Sequence, residues 1–115
     1  MSKKAPAARA LTDPTDIPEK DLQRRVREYA RLLGWEVHTT WTSIHSPRGW
    51  PDLTCWRQTP EGGELVCIEL KTTRGRVSPE QEAWIARLAA VPGVRWAGVI
   101  RPAAWFSGAL DDVLR

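Results

Sequence analysis

Cysteine is scarce in this chain. Cys55 and Cys67 are the only two, with no CxxC pair and no histidine cluster beside them. A zinc site is therefore not expected. Both lie mid-segment and read as small, reduced core residues, close together if their segments pair as strands. Long hydrophobic runs are missing too. None approaches the ~18 residues of a membrane helix, and no signal-peptide core precedes the rest. A cytosolic protein is expected. No charge sign dominates: 17 Lys and Arg stand against 14 Asp and Glu, for a net +3. This mild basic bias suits a polyanionic partner without demanding one. Phe and Tyr occur once each, whereas there are seven Trp. Most of these are expected in the core, since Trp carries a large apolar area. Trp41 and Trp50 differ, because they flank a polar stretch with Pro47 and Gly49, where an exposed ring can stack on a base.

At 115 residues the chain is one domain with a modest core. Residues 1–16 show no hydrophobic period and read as a disordered basic tail, leaving 17–115 as the folded domain. Leu22, Val26, Tyr29, Ala30 and Leu33 recur at helical spacing, predicting a helix from Pro18 to Leu33 stopped by Gly34. Alternation predicts a strand over Trp35–Trp41, then a loop over Ser43–Trp50. Two more strands follow, Asp52–Arg57 and Glu64–Lys71, antiparallel and joined by a longer hairpin turn at 59–63. Ser78-Pro79-Glu80-Gln81 is a helix start with Ser as N-cap and Pro first. A fourth strand, Val94–Ile100, and a short closing helix, Trp105–Arg115, complete the order α-β-β-β-α-β-α. That order fits an α/β sandwich around a mixed sheet.

The chemistry is concentrated at two strand ends. Pro51-Asp52 opens one apolar segment and Glu69-Leu70-Lys71 closes the next. Glu69 and Lys71 share a face of their strand, with Leu70 on the other. Strand-forming tendency alone does not call for Glu then Lys at the end of so apolar a run. Metal-assisted phosphodiester hydrolysis does, because it uses acidic oxygens to hold Mg²⁺ and a cation to steer or activate water. A solvated Asp and a Glu–Lys ion pair at two strand ends is the plainer alternative.

Four blocks in order carry a resemblance: a helix bearing Glu19 and ending at Gly34-Trp35; Gly49-Trp50-Pro51-Asp52-Leu53; Ile68-Glu69-Leu70-Lys71; and Arg74-Gly75-Arg76-Val77-Ser78 followed by Gln81. Together they resemble the VRR-NUC family of the PD-(D/E)XK nuclease superfamily, in its compact stand-alone form from phages and bacteria. The resemblance runs from about Pro18 to Pro102. It implies a restriction-endonuclease-like sandwich and a Mg²⁺-dependent deoxyribonuclease, with Mn²⁺ a substitute. Cleavage would leave 5′-phosphate and 3′-hydroxyl ends. Structure-selective cutting of branched, flap or Holliday-junction DNA by a homodimer is the expected activity, in replication, recombination or repair. A non-catalytic DNA-binding module on the same fold is the alternative.

By that resemblance Asp52, Glu69, the Leu70 carbonyl and Glu19 hold the metal, and Lys71 contacts the water or the phosphate. Whether Lys71 is a general base or a positioner stays open. Gln81 orients the water or the lysine, but it also fits a capping box. Asp16-Ile17-Pro18-Glu19 likewise reads as a capping box, which accounts for Glu19 without chemistry. Ser46, Arg48, Trp50, Arg74 and Arg76 are candidate DNA contacts, the arginines through paired donors to phosphate. His38 and His45 do not form a metal pair by spacing. His38 reads as a strand or surface residue, and His45 as a surface residue or a substrate contact.

Overall fold

Leu22, Val26 and Ala30 lie on one stripe, and helix α1 (Glu19–Leu32) buries all three against a sheet. The computed structural model describes residues 16–40 and 46–115. Of the tail expected over residues 1–16 only Asp16 is among them, and Trp41 and His45 lie outside. Helix α1 ends at Gly34, whose φ of +95° reverses the chain at little steric cost. Strands β1 (Glu36–Thr39), β2 (Leu53–Thr59), β3 (Gly62–Leu70) and β4 (Val94–Ile100) form one sheet in the order β1-β2-β3-β4. The first three are antiparallel neighbours. β4 runs parallel to β3, reached through helix α2 (Pro79–Ala89). The mixed α/β architecture and the element order match the sequence reading.

Alternation divides the sheet into two faces. Leu53, Cys55, Val66, Ile68, Leu70 and Ile100 face the core with α1. The register pairs Leu53 with Ile68, so one step beyond it Asp52 lies opposite Glu69 on the other face. Cys55 pairs with Val66 and Thr54 with Cys67, which puts the two thiols on opposite faces. Both are free and buried, and burial pushes the Cys55 thiol up to about 12.

Four local expectations change. The β2–β3 hairpin is tight, with Thr59 paired to Gly62 and only Pro60 and Glu61 at its tip. Gly62 (φ +126°) lets β3 start at once, and a side chain on Gly63 would strike the Trp56 indole nitrogen at 2.7 Å. The closing helix is two short ones, α3 (Pro102–Ser107) and α4 (Ala109–Leu114), broken where Gly108 turns left-handed at φ +89°. Pro18, not Asp16, caps α1, without a side-chain hydrogen bond. The Asp16 carboxylate instead accepts from Thr73 Oγ1 at 2.8 Å.

The tryptophans are the fourth. Trp35 alone among the described ones is fully buried, at 2% exposure, while Trp56 is 40% exposed. A thin sheet has too little interior for six indoles, so several lie over backbone instead. Trp56 covers Gly63, and Trp96 covers Gly98. Trp35 donates its indole N–H to the Leu114 carbonyl at 2.9 Å and lies under the Arg57 guanidinium, 4.2 Å from its centroid. It thereby ties α4 to the sheet. Trp35→Ala is expected to cost about 3–5 kcal/mol, a large part of the stability of a small domain. Trp56→Ala should cost clearly less, and urea denaturation of both variants checks the order.

Candidate active site

Asp52 is fixed by its neighbours before its own side chain acts. Gly49 adopts φ +89°, and a Cβ there would come within 2.5 Å of the Glu80 carbonyl carbon. The loop therefore lies directly against the first turn of α2. Trp50 meets Trp84 of that helix edge-on at 5.1 Å and donates to Thr54 Oγ1 at 3.4 Å. Pro51 is buried. Thr40 holds the next two residues. Its hydroxyl donates to the Pro51 carbonyl at 3.0 Å, and its backbone N–H donates to the Asp52 carbonyl at 2.8 Å. Asp52 Oδ2 then accepts the Leu70 N–H at 2.9 Å, locking the carboxylate to the end of β3.

Glu69 sits beside it at 3% exposure. Its Oε2 accepts from Gln81 Nε2 at 3.0 Å and lies 3.5 Å from Lys71 Nζ. Its Oε1 is buried with no hydrogen-bond partner among the described residues. Burial raises the Glu69 carboxyl to about 8, helped by the Asp52 charge and opposed by Lys71. Burial and the neighbouring Asp52 charge both disfavour the ionised Glu69, and Lys71 offsets them only in part. Buried polar atoms are normally satisfied, so an orphaned carboxylate oxygen beside a second carboxylate is the donor set a hard cation takes. The residues present fit Mg²⁺. No three His, Cys, Asp or Glu side chains converge as a metal-holding group among the described residues. Mg²⁺ retains several waters, so two carboxylates suffice.

The family model for the VRR-NUC domain matches residues 16–97. The chain belongs to the VRR-NUC family. It is thus a nuclease-type DNA-processing domain, and DNA is the substrate class that follows. No curated protein and no solved structure matches it. Among the described residues no helix is long and apolar enough to cross a membrane.

The VRR-NUC match includes every candidate site residue. The structure brings together Asp52, Glu69, Leu70, Lys71 and Gln81. Gln81 closes the capping box and also reaches Glu69, rather than Lys71. Its Oε1 accepts the Ser78 N–H at 2.9 Å to close the capping box, and its Nε2 holds Glu69. Glu19 stands apart, exposed at the first position of α1, with its carboxylate in no hydrogen bond or ion pair among the described residues. Arg48, Arg74 and Arg76 are exposed, and Ser46 and Trp50 are half-buried.

Two residues escaped the sequence reading. Thr40 clamps Asp52 through backbone groups, and nothing in its type or spacing marks it. Arg101 lies beyond the family match. Its Nη1 donates to the Thr72 carbonyl at 2.8 Å and the Gly75 carbonyl at 2.7 Å, folding the loop after Lys71 around one guanidinium. That loop presents Arg74 and Arg76.

Gly49→Ala meets both a left-handed backbone and the Glu80 carbonyl, and is expected to cost at least about 1–3 kcal/mol. Its melting temperature should fall, and activity should fall further than stability accounts for, because Asp52 shifts. The raised Glu69 carboxyl sets a pH dependence. The folded chain binds a proton there that the unfolded chain releases near its ordinary value of 4.5. Metal-free stability therefore declines as pH rises from about 4.5 to about 8. Thermal melts in EDTA across that window should show the decline, and Glu69→Gln should flatten it.

Proposed function

We propose that the chain is a Mg²⁺-dependent endonuclease that hydrolyses DNA phosphodiester bonds, selects branched substrates and acts as a homodimer. The observation that carries this reading is the orphaned, buried Glu69 oxygen beside Asp52. Asp52 and Glu69 would hold the ion. The resemblance adds the Leu70 carbonyl, and Glu19, whose carboxylate no cap contact claims. Bound there, Mg²⁺ or Mn²⁺ supplies a Lewis acid for the scissile phosphate and a lowered pKa for the attacking water.

The protein's own groups do the rest. Lys71, 3.5 Å from Glu69 Oε2, places an ammonium at the same edge, where it can donate to a phosphate oxygen. Gln81 fixes the Glu69 carboxylate, and the start of α2 fixes Gln81. Arg48, Arg74 and Arg76 offer guanidinium forks to the DNA backbone. These contacts position DNA without reading its bases, which favours recognition of shape over sequence in a domain this small. A two-fold dimer presents two active sites to a symmetric junction.

Asp52→Asn keeps an oxygen for the Leu70 N–H, so it should fold normally and lose all measurable cleavage of labelled junction, flap and duplex DNA. Retained cleavage by that variant would sink the site assignment. DNA binding without cleavage by the parent chain, in Mg²⁺ or Mn²⁺, would instead mark a binding module. Gln81→Ala, which frees a ligating carboxylate from its support, should lower activity or metal affinity by about 10–100-fold. Light scattering during size-exclusion chromatography reads the oligomeric state, where a strict monomer at micromolar concentration contradicts paired incision.

A further inference from the structure

Between α1 and β1 lies a cleft of about 350 Å³ lined by Arg27, Arg31, Val37, His38 and Thr39. Arg27 and Arg31 are one helical turn apart and project from the same side of α1. Val37 and Thr39 contribute half-buried and buried walls, and His38 is exposed. Among the described residues no carboxylate lines the cleft. Two other clefts on the molecule each include one, Asp111 in the first and Glu28 in the second. β1 is an edge strand of the described sheet, so part of its backbone also faces away from β2. The cleft thus combines cationic and N–H donors with a lining that, among the described residues, contains no acid.

Its position relative to the carboxylates gives it a use. Thr39 pairs with Leu53, and Thr40 donates to Asp52. His38 pairs with Thr54, two residues from Asp52, and so lies on the same face as the Asp52 side chain. Two strand residues separate His38 from the Asp52 partner, about 7 Å at ~3.4 Å per residue. A DNA strand advances roughly 3.4 Å per nucleotide along its axis. His38, the part of the cleft on the Asp52 face, is therefore within about two nucleotide steps of the reacting phosphate, and Arg27 and Arg31 flank it from α1 across the open edge of β1.

We propose that the cleft between α1 and β1 is a phosphate-binding lane, in which Arg31, His38 and Arg27 hold the backbone of a DNA strand entering the active site. The proposal rests on the nuclease reading and deepens it. The lane lies beyond the Asp52 loop, whereas Arg74 and Arg76 are carried on the loop after Lys71. A strand with its scissile phosphate at Asp52 and Glu69 is then gripped from two separate elements. Phosphate contacts of this kind position DNA and carry no sequence information.

The test is equilibrium binding of a fluorescein-labelled DNA duplex by anisotropy, in EDTA and over a salt series. The proteins are the full chain, the double variant Arg31→Gln/His38→Gln, and Arg24→Gln. Arg24 is an exposed arginine of the same helix, paired with Asp21 and Glu28 and absent from the cleft. The double variant should bind about tenfold more weakly, with a salt slope shallower by about 0.9 for each phosphate no longer neutralised. Arg24→Gln should match the parent. Parent-like binding and slope in the double variant, while the parent still cleaves DNA, overturn the lane alone. Equal weakening by Arg24→Gln also overturns it, since bulk charge then explains the effect. A parent chain that neither binds nor cleaves DNA overturns the nuclease reading together with the lane.

Discussion

Two carboxylates held face to face at a buried sheet edge are the constraint on which the rest of the molecule depends. Asp52 and Glu69 repel each other, and burial makes that repulsion costly. A fold does not tolerate such a pair by accident. It persists here because the groups around it are satisfied. Asp52 is tied to Leu70 and Thr40, and Glu69 to Gln81 and Lys71. The oxygen left without a partner among the described residues, Glu69 Oε1, is the one the proposed cation would take.

The rest of the architecture serves that edge. The antiparallel register of β2 and β3 sets Asp52 against Glu69. The parallel crossover to β4 brings the first turn of α2 back over the same face, and its capping box points the Gln81 amide at Glu69. Gly49 lets the Asp52 loop touch that helix backbone to backbone. On the far side of the sheet, α1 and α4 bury the apolar face. Stability and chemistry are therefore assigned to opposite faces of one thin sheet. The VRR-NUC match covers the elements that build the chemical face, while α3 and α4 lie outside it.

Much of this is legible in the sequence, for identifiable reasons. Apolar periodicity places α1 and the four strands, and residue types that strands do not favour mark Asp52, Glu69 and Lys71. Gln81 is legible because a helix start needs particular residues at fixed offsets. What stays hidden acts over long separations or through the backbone. The Asp16 carboxylate has a local capping offset, but a hydroxyl 57 residues away claims it. Thr40 and Arg101 work by donating to backbone carbonyls, and any loop supplies those. Residue type alone puts the tryptophans in a core that a single sheet cannot provide, since indole burial depends on layer thickness, which one-dimensional patterning does not record. Gly108 lies inside a helical pattern that accommodates either continuation or a break, and its left-handed φ decides for the break.

The central claim is that the Asp52–Glu69 pair is a metal site whose proton the metal displaces. Calorimetric titration of the DNA-free protein with Mn²⁺ at pH 7, repeated in buffers of different ionisation enthalpy, tests it directly. Because the Glu69 carboxyl is raised to about 8, binding should release about one proton per ion. Both the heat and the release should vanish in Glu69→Gln. Mn²⁺ binding that releases no proton, or that survives unchanged in Glu69→Gln, would contradict the account.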